Sequence, residues 1–326
     1  MLDKKNFYID GKWVSPVESK TYKVIDPSSE EPCAEISLGG KKDVDKAVSA
    51  AKKAFETWAF TKKEERLELL EKLYVIYKKR WAEMAKLITL EMGAPMKFST
   101  EMQAATGASH IKSFKNILKD FKFEKDLGEE KNNQKLLYEP KGVCALITPW
   151  NWPINQVNLK VIPALASACT VVLKPSEIAP LSSMLLAEMI DEVKFPAGVF
   201  NLVNGDGALT GDALTSHPDI NMISFTGSTR AGALISQNAA KDFKRISLEL
   251  GGKGANIIFK DADSEAVARG VLRCFRNSGQ SCNAPTRMLV EKSIYNETVE
   301  KVKELANNTK VDSPEKDGDH IGPVVS

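Results

Sequence analysis

Cys282 stands in the run Asn277-Ser278-Gly279-Gln280-Ser281-Cys282-Asn283-Ala284, among glycine and polar residues instead of the apolar neighbours that pack around a core cysteine. That setting marks a nucleophile. The thiolate is the reactive form, and a thiol of ordinary pKa, about 8.5, needs cationic or hydrogen-bonding surroundings to reach it. Upstream, Glu249 closes the apolar stretch Ile246-Ser247-Leu248-Glu249-Leu250, and further back Pro149-Trp150-Asn151-Trp152-Pro153 carries a side-chain amide. Thiol, carboxylate and amide are the groups that acyl chemistry on a carbonyl requires: a nucleophile, a base for water, and an N–H donor where an oxyanion develops. Taken singly, Glu249 reads equally well as a solvated edge-strand carboxylate and Asn151 as a turn former between prolines. Cys144 and Cys169, inside apolar runs, read as small buried hydrophobes.

These groups need a scaffold that brings them together. After Pro140, apolar runs begin near 143, 171, 199, 220 and 246, leaving room for one helix between neighbours. The spacing predicts an α/β fold with a parallel, doubly wound sheet. Ligands in such sheets sit at the carboxyl ends of the strands, where Asn151, Lys174, Gly205, Gly227 and Glu249 fall. A further strand at 255–259, a helix at about 263–276, the Cys282 loop, a strand near 287–291 and a helix from about 293 follow. Ahead of the sheet, short strand-like pieces around 7–9 and 22–25 give way to a helix opened by Asp43, with Ala47, Ala51 and Trp58 on one face. Residues 63–91 and 95–119 read as two more amphipathic helices.

Two glycine-bearing turns follow predicted strands, Asn204-Gly205-Asp206-Gly207-Ala208-Leu209-Thr210-Gly211 and Phe225-Thr226-Gly227-Ser228. Each opens a helix, whose unpaired N–H groups favour a diphosphate, with Ser228 adding a hydroxyl. Lys174-Pro175-Ser176-Glu177 places an ammonium and a carboxylate at a strand end, suited to ribose hydroxyls and equally to a surface ion pair. The usual dinucleotide fingerprint has its acid about 20 residues after the glycines, whereas Glu177 precedes Gly227. The unit is not a standard Rossmann one.

Composition narrows the partners. With 45 Lys+Arg against 43 Asp+Glu, net charge +2, the chain has no global field for nucleic acid or an anionic membrane. A small-molecule site remains. Five cysteines without CxxC spacing and three histidines suggest neither a disulfide framework nor a metal site, and a reducing cytoplasm fits. No apolar run is long enough to span a bilayer. Serine-hydrolase and P-loop readings fail, since GxSxG is absent and Lys253 precedes Gly254.

Taken in order, Pro149–Pro153, Lys174–Glu177, Phe225–Thr229, Leu248-Glu249-Leu250-Gly251-Gly252-Lys253 and Gly279–Cys282 resemble the aldehyde dehydrogenase superfamily over essentially the whole chain. The resemblance implies a cofactor-binding domain over 1–249 with an atypical Rossmann sheet, an oligomerisation arm at 127–141, and the first part of an α/β catalytic domain over 250–326. It also implies that Cys282 forms a thiohemiacetal, that Asn151 and the Cys282 N–H hold the oxyanion, and that Glu249 activates water against the thioester. Trp150, Lys174, Glu177, Gly207, Gly211, Phe225, Gly227, Ser228 and Leu250 match contacts to NAD, with NADP as the alternative cofactor. Trp152, Gln156, Ser281 and Asn283 are the expected aldehyde contacts, and no Arg or Lys stands among them. Relatives continue past residue 326 through a Glu-x-Phe-Gly-Pro motif and assemble as homodimers or homotetramers, so little sustained turnover is expected of 1–326 alone. A CoA-acylating semialdehyde dehydrogenase and a non-catalytic dinucleotide-binding fragment are the competing readings.

Overall fold

The computed structural model describes residues 1–18, 20–128 and 134–326. Near the N-terminus lie β1 (Leu2–Lys4), β2 (Phe7–Ile9), β3 (Lys12–Val14), β4 (Lys20–Ile25) and β5 (Pro32–Leu38). Asp10 and Gly11 both take positive φ, 54° and 71°, the two-residue turn that an Asp-Gly pair favours between antiparallel strands. Helix α1 (Lys41–Trp58) follows, with Asp43 accepting from the Gly40 and Val17 amides at 3.1 and 2.8 Å.

The helix expected over 63–91 is two helices, α2 (Lys63–Lys79) and α3 (Trp81–Met92). The break falls at Arg80, φ −98° and ψ 17°, whose guanidinium bonds Glu83 and Glu188, each at 2.7 Å. Bending there lets Leu73 and Tyr77 of α2 and Met84 and Ile88 of α3 all reach the core. The helix expected over 95–119 is likewise interrupted. A single turn, α4 (Met96–Phe98), passes through a π turn at Ser99–Gln103 into α5 (Ala104–Asp120). Strands β6 (Glu124–Asp126) and β7 (Lys135–Leu137) pair antiparallel. Of the expected arm at 127–141, residues 129–133 lie outside the described residues.

The main sheet adds β8 (Val143–Ile147), β9 (Thr170–Lys174), β10 (Phe200–Leu202), β11 (Met222–Thr226) and β12 (Arg245–Glu249) in the order β12-β11-β8-β9-β10-β2-β3. The first five are mutually parallel, and β2 and β3 extend the edge antiparallel. Helices α6 (Pro153–Ala166), α7 (Leu181–Val193), α8 (Asp212–Ser216) and α9 (Thr229–Ala240) lie in the connections. From β8 the chain steps to β9 and β10, then returns to the other side of β8 for β11 and β12. The switch point therefore lies between β8 and β11. Alternate residues feed two cores: Leu146, Leu173 and Leu202 pack with α2, α3, α5, α6 and α7, while Ile147, Val172, Ile223 and Phe225 pack with Val44, Ala47 and Ala51 of α1. Beyond β12, β13 (Ala255–Ile258) and β14 (Arg287–Val290) form a parallel pair accompanied by α10 (Ser264–Phe275) and α11 (Tyr295–Asn307).

Candidate active site

The exit of β8 meets the thiol loop. Pro153 at the first turn of α6 has its φ preset for a helix, which leaves Trp150, Asn151 and Trp152 in the connection ahead of it. The Asn151 side-chain amide donates to the Gln280 carbonyl at 3.0 Å, and the Trp152 indole N–H donates to Ser281 Oγ at 2.7 Å. One hydrogen of the Asn151 amide is thus committed, which fixes the plane in which the second points. The loop reverses through Asn277, Ser278 and Gly279 at φ 57°, 56° and 75°. Glycine takes this region freely and asparagine readily, whereas serine occupies it when its surroundings hold it there. Those surroundings include Ser278 Oγ donating to the Gly322 carbonyl at 2.7 Å and the Val325 amide donating to Gln280 Oε1 at 2.9 Å. Cys282 emerges exposed from this turn, while Cys144 and Cys169 are buried and Cys33 and Cys274 half-buried. The glycine segment after β12 runs beside it: a Cβ on Gly252 would lie 3.9 Å from the Cys282 carbonyl oxygen.

Glu249 ends the edge strand β12 with its side chain exposed, and its carbonyl accepts from the Gly227 amide at 3.0 Å. Behind it, on α6, is Lys160, which the sequence reading passed over. Its ammonium donates to Ser224 Oγ at 3.1 Å in buried surroundings. Burial pushes the Lys160 pKa down from 10.5 to about 8, and the Glu249 carboxylate acts in the opposite direction. The signal available in sequence was a single cation inside the apolar stretch 157–162.

The glycine turns and their neighbours line the same edge of the sheet. A Cβ on Gly227 would run into the Phe225 ring, and one on Gly232 would lie 2.8 Å from Leu250 Cδ2. Ser228 is the N-cap of α9, accepting from the Ala231 amide at 3.2 Å, so its own hydroxyl hydrogen remains for a ligand. At the other turn Asp206 accepts from the Leu209 amide at 2.7 Å, Gly207 faces open space, and Gly211 is buried. Lys174 is buried and donates to the Pro175 carbonyl at 2.8 Å, to the Gly205 carbonyl, and to Glu177 at 3.4 Å. Burial lowers its pKa, opposed by Glu177. The expected ammonium–carboxylate pair is therefore present, but its ammonium also ties the exits of β9 and β10 together. Thr148 Oγ1 and Thr226 Oγ1, just past β8 and at the end of β11, are buried without a hydrogen-bond partner. Orphaned hydroxyls on both sides of the switch point, beside a glycine with no room for a side chain, fit a polar ligand laid across the strand ends.

Of the expected aldehyde contacts, Trp152 and Ser281 are bonded to each other, Gln156 is buried in α6 with Oε1 unpaired, and Asn283 is exposed. No Arg or Lys is among these four residues, but Arg276 lies near Trp152 through Phe98. Its guanidinium carbon is 5.9 Å from the Phe98 ring centroid, and Phe98 meets Trp152 edge-on at 5.5 Å. Arg276 and Phe98 line a cavity of about 500 Å³ with Met102, Leu272 and Phe275. Nothing local in the sequence marks Arg276, because its ring partner Phe98, at the end of α4, is remote in sequence. Among the described residues there is no cluster of three or more His, Cys, Asp or Glu side chains able to hold a metal, and no helix long and apolar enough to cross a membrane.

An open sheet of five parallel strands with glycine turns and orphaned hydroxyls at its carboxyl edge, where the Cys282 loop meets Asn151, is the architecture of a dinucleotide-dependent oxidoreductase. The aldehyde dehydrogenase family model matches residues 13–326, and the chain belongs to that family. It is 50% identical over its whole length to the 3-succinoylsemialdehyde-pyridine dehydrogenase of a Pseudomonas species, 68% of which it covers. Its fold superposes on the crystal structure of an aldehyde dehydrogenase from Bartonella henselae with TM-score 0.98 at 59% identity, spanning 100% of this chain and 68% of that one. A mutant of Aldehyde Dehydrogenase C from Pseudomonas syringae, complexed with NAD+ and octanal, superposes with TM-score 0.96 at 43% identity, over 99% of this chain and 66% of that one. The chain thus spans about two thirds of the length of these relatives.

Proposed function

We propose that this chain carries the groups that oxidise an aldehyde to a carboxylic acid with NAD, residues 1–249 holding the cofactor and 250–326 carrying the thiol. The observation that bears most of the weight is the bond from the Asn151 amide to the carbonyl of Gln280, two residues before the exposed Cys282. It supports a reading in which an oriented N–H donor works beside the nucleophile.

In this mechanism Cys282 gives its thiol proton to solvent water, to which it is exposed, and Sγ attacks the aldehyde carbon. The resulting thiohemiacetal oxyanion is held by the free N–H of Asn151 and the Cys282 backbone N–H. Bound NAD supplies the hydride acceptor. Loss of hydride leaves a thioester on Cys282, and Glu249 takes a proton from the water that hydrolyses it, releasing acid and thiol. The dinucleotide would be held by Trp150, Gly227, Ser228 and Leu250, with Lys174 and Glu177 toward the adenosine ribose and Gly207 and Gly211 at the second turn. Relatives whose names carry octanal and a pyridine semialdehyde support an aldehyde with an extended apolar or aromatic body, which Phe98, Met102 and Trp152 would accept. Leu136, Leu137 and Tyr138 are exposed on β7 and just after it, and a two-stranded pair is marginal alone. This supports packing against a second subunit.

The decisive experiment uses the full-length enzyme. Cys282→Ala should abolish aldehyde-dependent NADH formation, and Glu249→Gln should give a burst of NADH close to one per site followed by a stall at the acyl-enzyme. Steady turnover of Glu249→Gln at the parent rate would remove Glu249 from the mechanism.

A further inference from the structure

Gln103 closes the π turn ahead of α5 and is completely buried. Such one-turn widenings of a helix recur at functional sites. Its Nε2 faces three acceptors at once, Met92 Sδ at 3.5 Å, the Asn151 carbonyl at 3.3 Å and Asn277 Oδ1 at 3.2 Å, while Oε1 has no partner. Turning the amide over would set an oxygen against all three, so its orientation is determined. Asn277 in turn donates from Nδ2 to the Asn151 carbonyl at 2.9 Å and to the Gln280 carbonyl at 3.1 Å, and Asn151 Nδ2 donates to that same Gln280 carbonyl at 3.0 Å. The result is a closed ring. The Asn151 carbonyl accepts from Gln103 and Asn277, and the Gln280 carbonyl accepts from Asn277 and Asn151.

This ring accounts for a feature the turn alone does not. Asn277 lies at φ 57°, ψ 30°, a region asparagine enters more readily than most side chains, and its three side-chain bonds fix it there. One of the bonds that hold it reaches across 174 residues to the fully buried Gln103. We propose that the Gln103–Asn277 pair is a positioning device that fixes the separation of the Asn151 amide and the Cys282 loop, the two halves of the oxyanion pocket. Neither residue touches the reacting atoms. The inference rests on the reading of Cys282 and Asn151 given above.

The test uses Gln103→Met and Asn277→Gly, singly and together, in the full-length enzyme, with Cys282→Ala in parallel. Methionine keeps the length and helix preference of glutamine without its donor. Glycine adopts the left-handed conformation more readily than asparagine, so Asn277→Gly preserves the turn and deletes only the amide. Each single variant should lower the single-turnover rate of NADH formation by roughly 10- to 100-fold, the scale of a misplacement of about 1 Å, with the Kd for NAD and the KM for aldehyde unchanged. The double variant should be no slower than the slower single one, because either change opens the same ring. A parent rate in Gln103→Met, or a double loss equal to the product of the two single losses, overturns the proposal. If Gln103→Met fails to fold, Asn277→Gly decides alone, and a parent rate in it refutes the device. Activity retained by Cys282→Ala would instead sink the underlying reading, whereas an inactive Cys282→Ala beside a fully active Gln103→Met sinks only the pair.

Discussion

Lys160→Met should stabilise this fold at neutral pH and lose that advantage in alkali. The ammonium is buried between α6 and β11 with Ser224 as its hydrogen-bond partner, and its pKa is lowered from 10.5 to about 8. At about 1.36 kcal/mol per pH unit, carrying the charge inside amounts to about 3 kcal/mol against folding. Below pH 8 native and unfolded chains both hold the proton, so the whole penalty is present. Between pH 8 and 10.5 the unfolded chain binds a proton that the native site has released, and stability rises with pH across that window. Methionine keeps the methylene stem, removes the charge, and leaves Ser224 one bond short, worth about 1 kcal/mol. The net expectation is a gain of about 2 kcal/mol at pH 7 turning into a loss of about 1 kcal/mol near pH 10.5. Urea titrations of parent and variant at both pH values measure it, and the titration of 13C-dimethylated Lys160 reports the pKa itself. Glu249→Gln should lower that pKa further, because the glutamate charge opposes the shift. A variant destabilised to the same extent at pH 7 and pH 10 would show that Lys160 sits in the fold without strain.

Two further substitutions probe the cofactor edge. Glu177→Gln should raise kcat/KM for NADP relative to NAD by about 10-fold, about 1.4 kcal/mol, because a carboxylate at the ribose repels a 2′-phosphate; an unchanged cofactor ratio would place Glu177 away from the ribose. Gly227→Ala should lower the thermal midpoint and weaken NAD binding together, since the added methyl meets the Phe225 ring and overpacking costs about 1–3 kcal/mol. Cofactor affinity preserved in a fully stable Gly227→Ala protein would mean that the strand end has room the structure denies.

What the sequence announces and what it conceals divides along a physical line. Buried parallel strands read as unbroken apolar runs, so β8 through β12 are legible one by one. Spacing predicts a doubly wound sheet but leaves open where the strand order reverses, and the structure puts that reversal between β8 and β11. Helical periodicity persists through Arg80 and through the π turn, because the apolar residues stay in phase while the backbone bends. The breaks become visible only once Glu188 and Asn277 are in place. Cys282, Asn151 and Gly227 stand out because a reactive group at a strand end needs glycine or proline nearby to turn the chain, and those residues are conspicuous. Lys160, Gln103 and Arg276 need nothing unusual beside them. Lys160 is bonded across 64 residues and Gln103 across 174, so each looks locally like an ordinary polar residue on an amphipathic helix. Groups that meet a substrate leave a local mark on the sequence, whereas groups that hold them in place are defined by a partner elsewhere in the chain. Asn151, the proposed oxyanion donor, therefore carries a local mark in the sequence, and the amides of Gln103 and Asn277 that bond its backbone carbonyl do not.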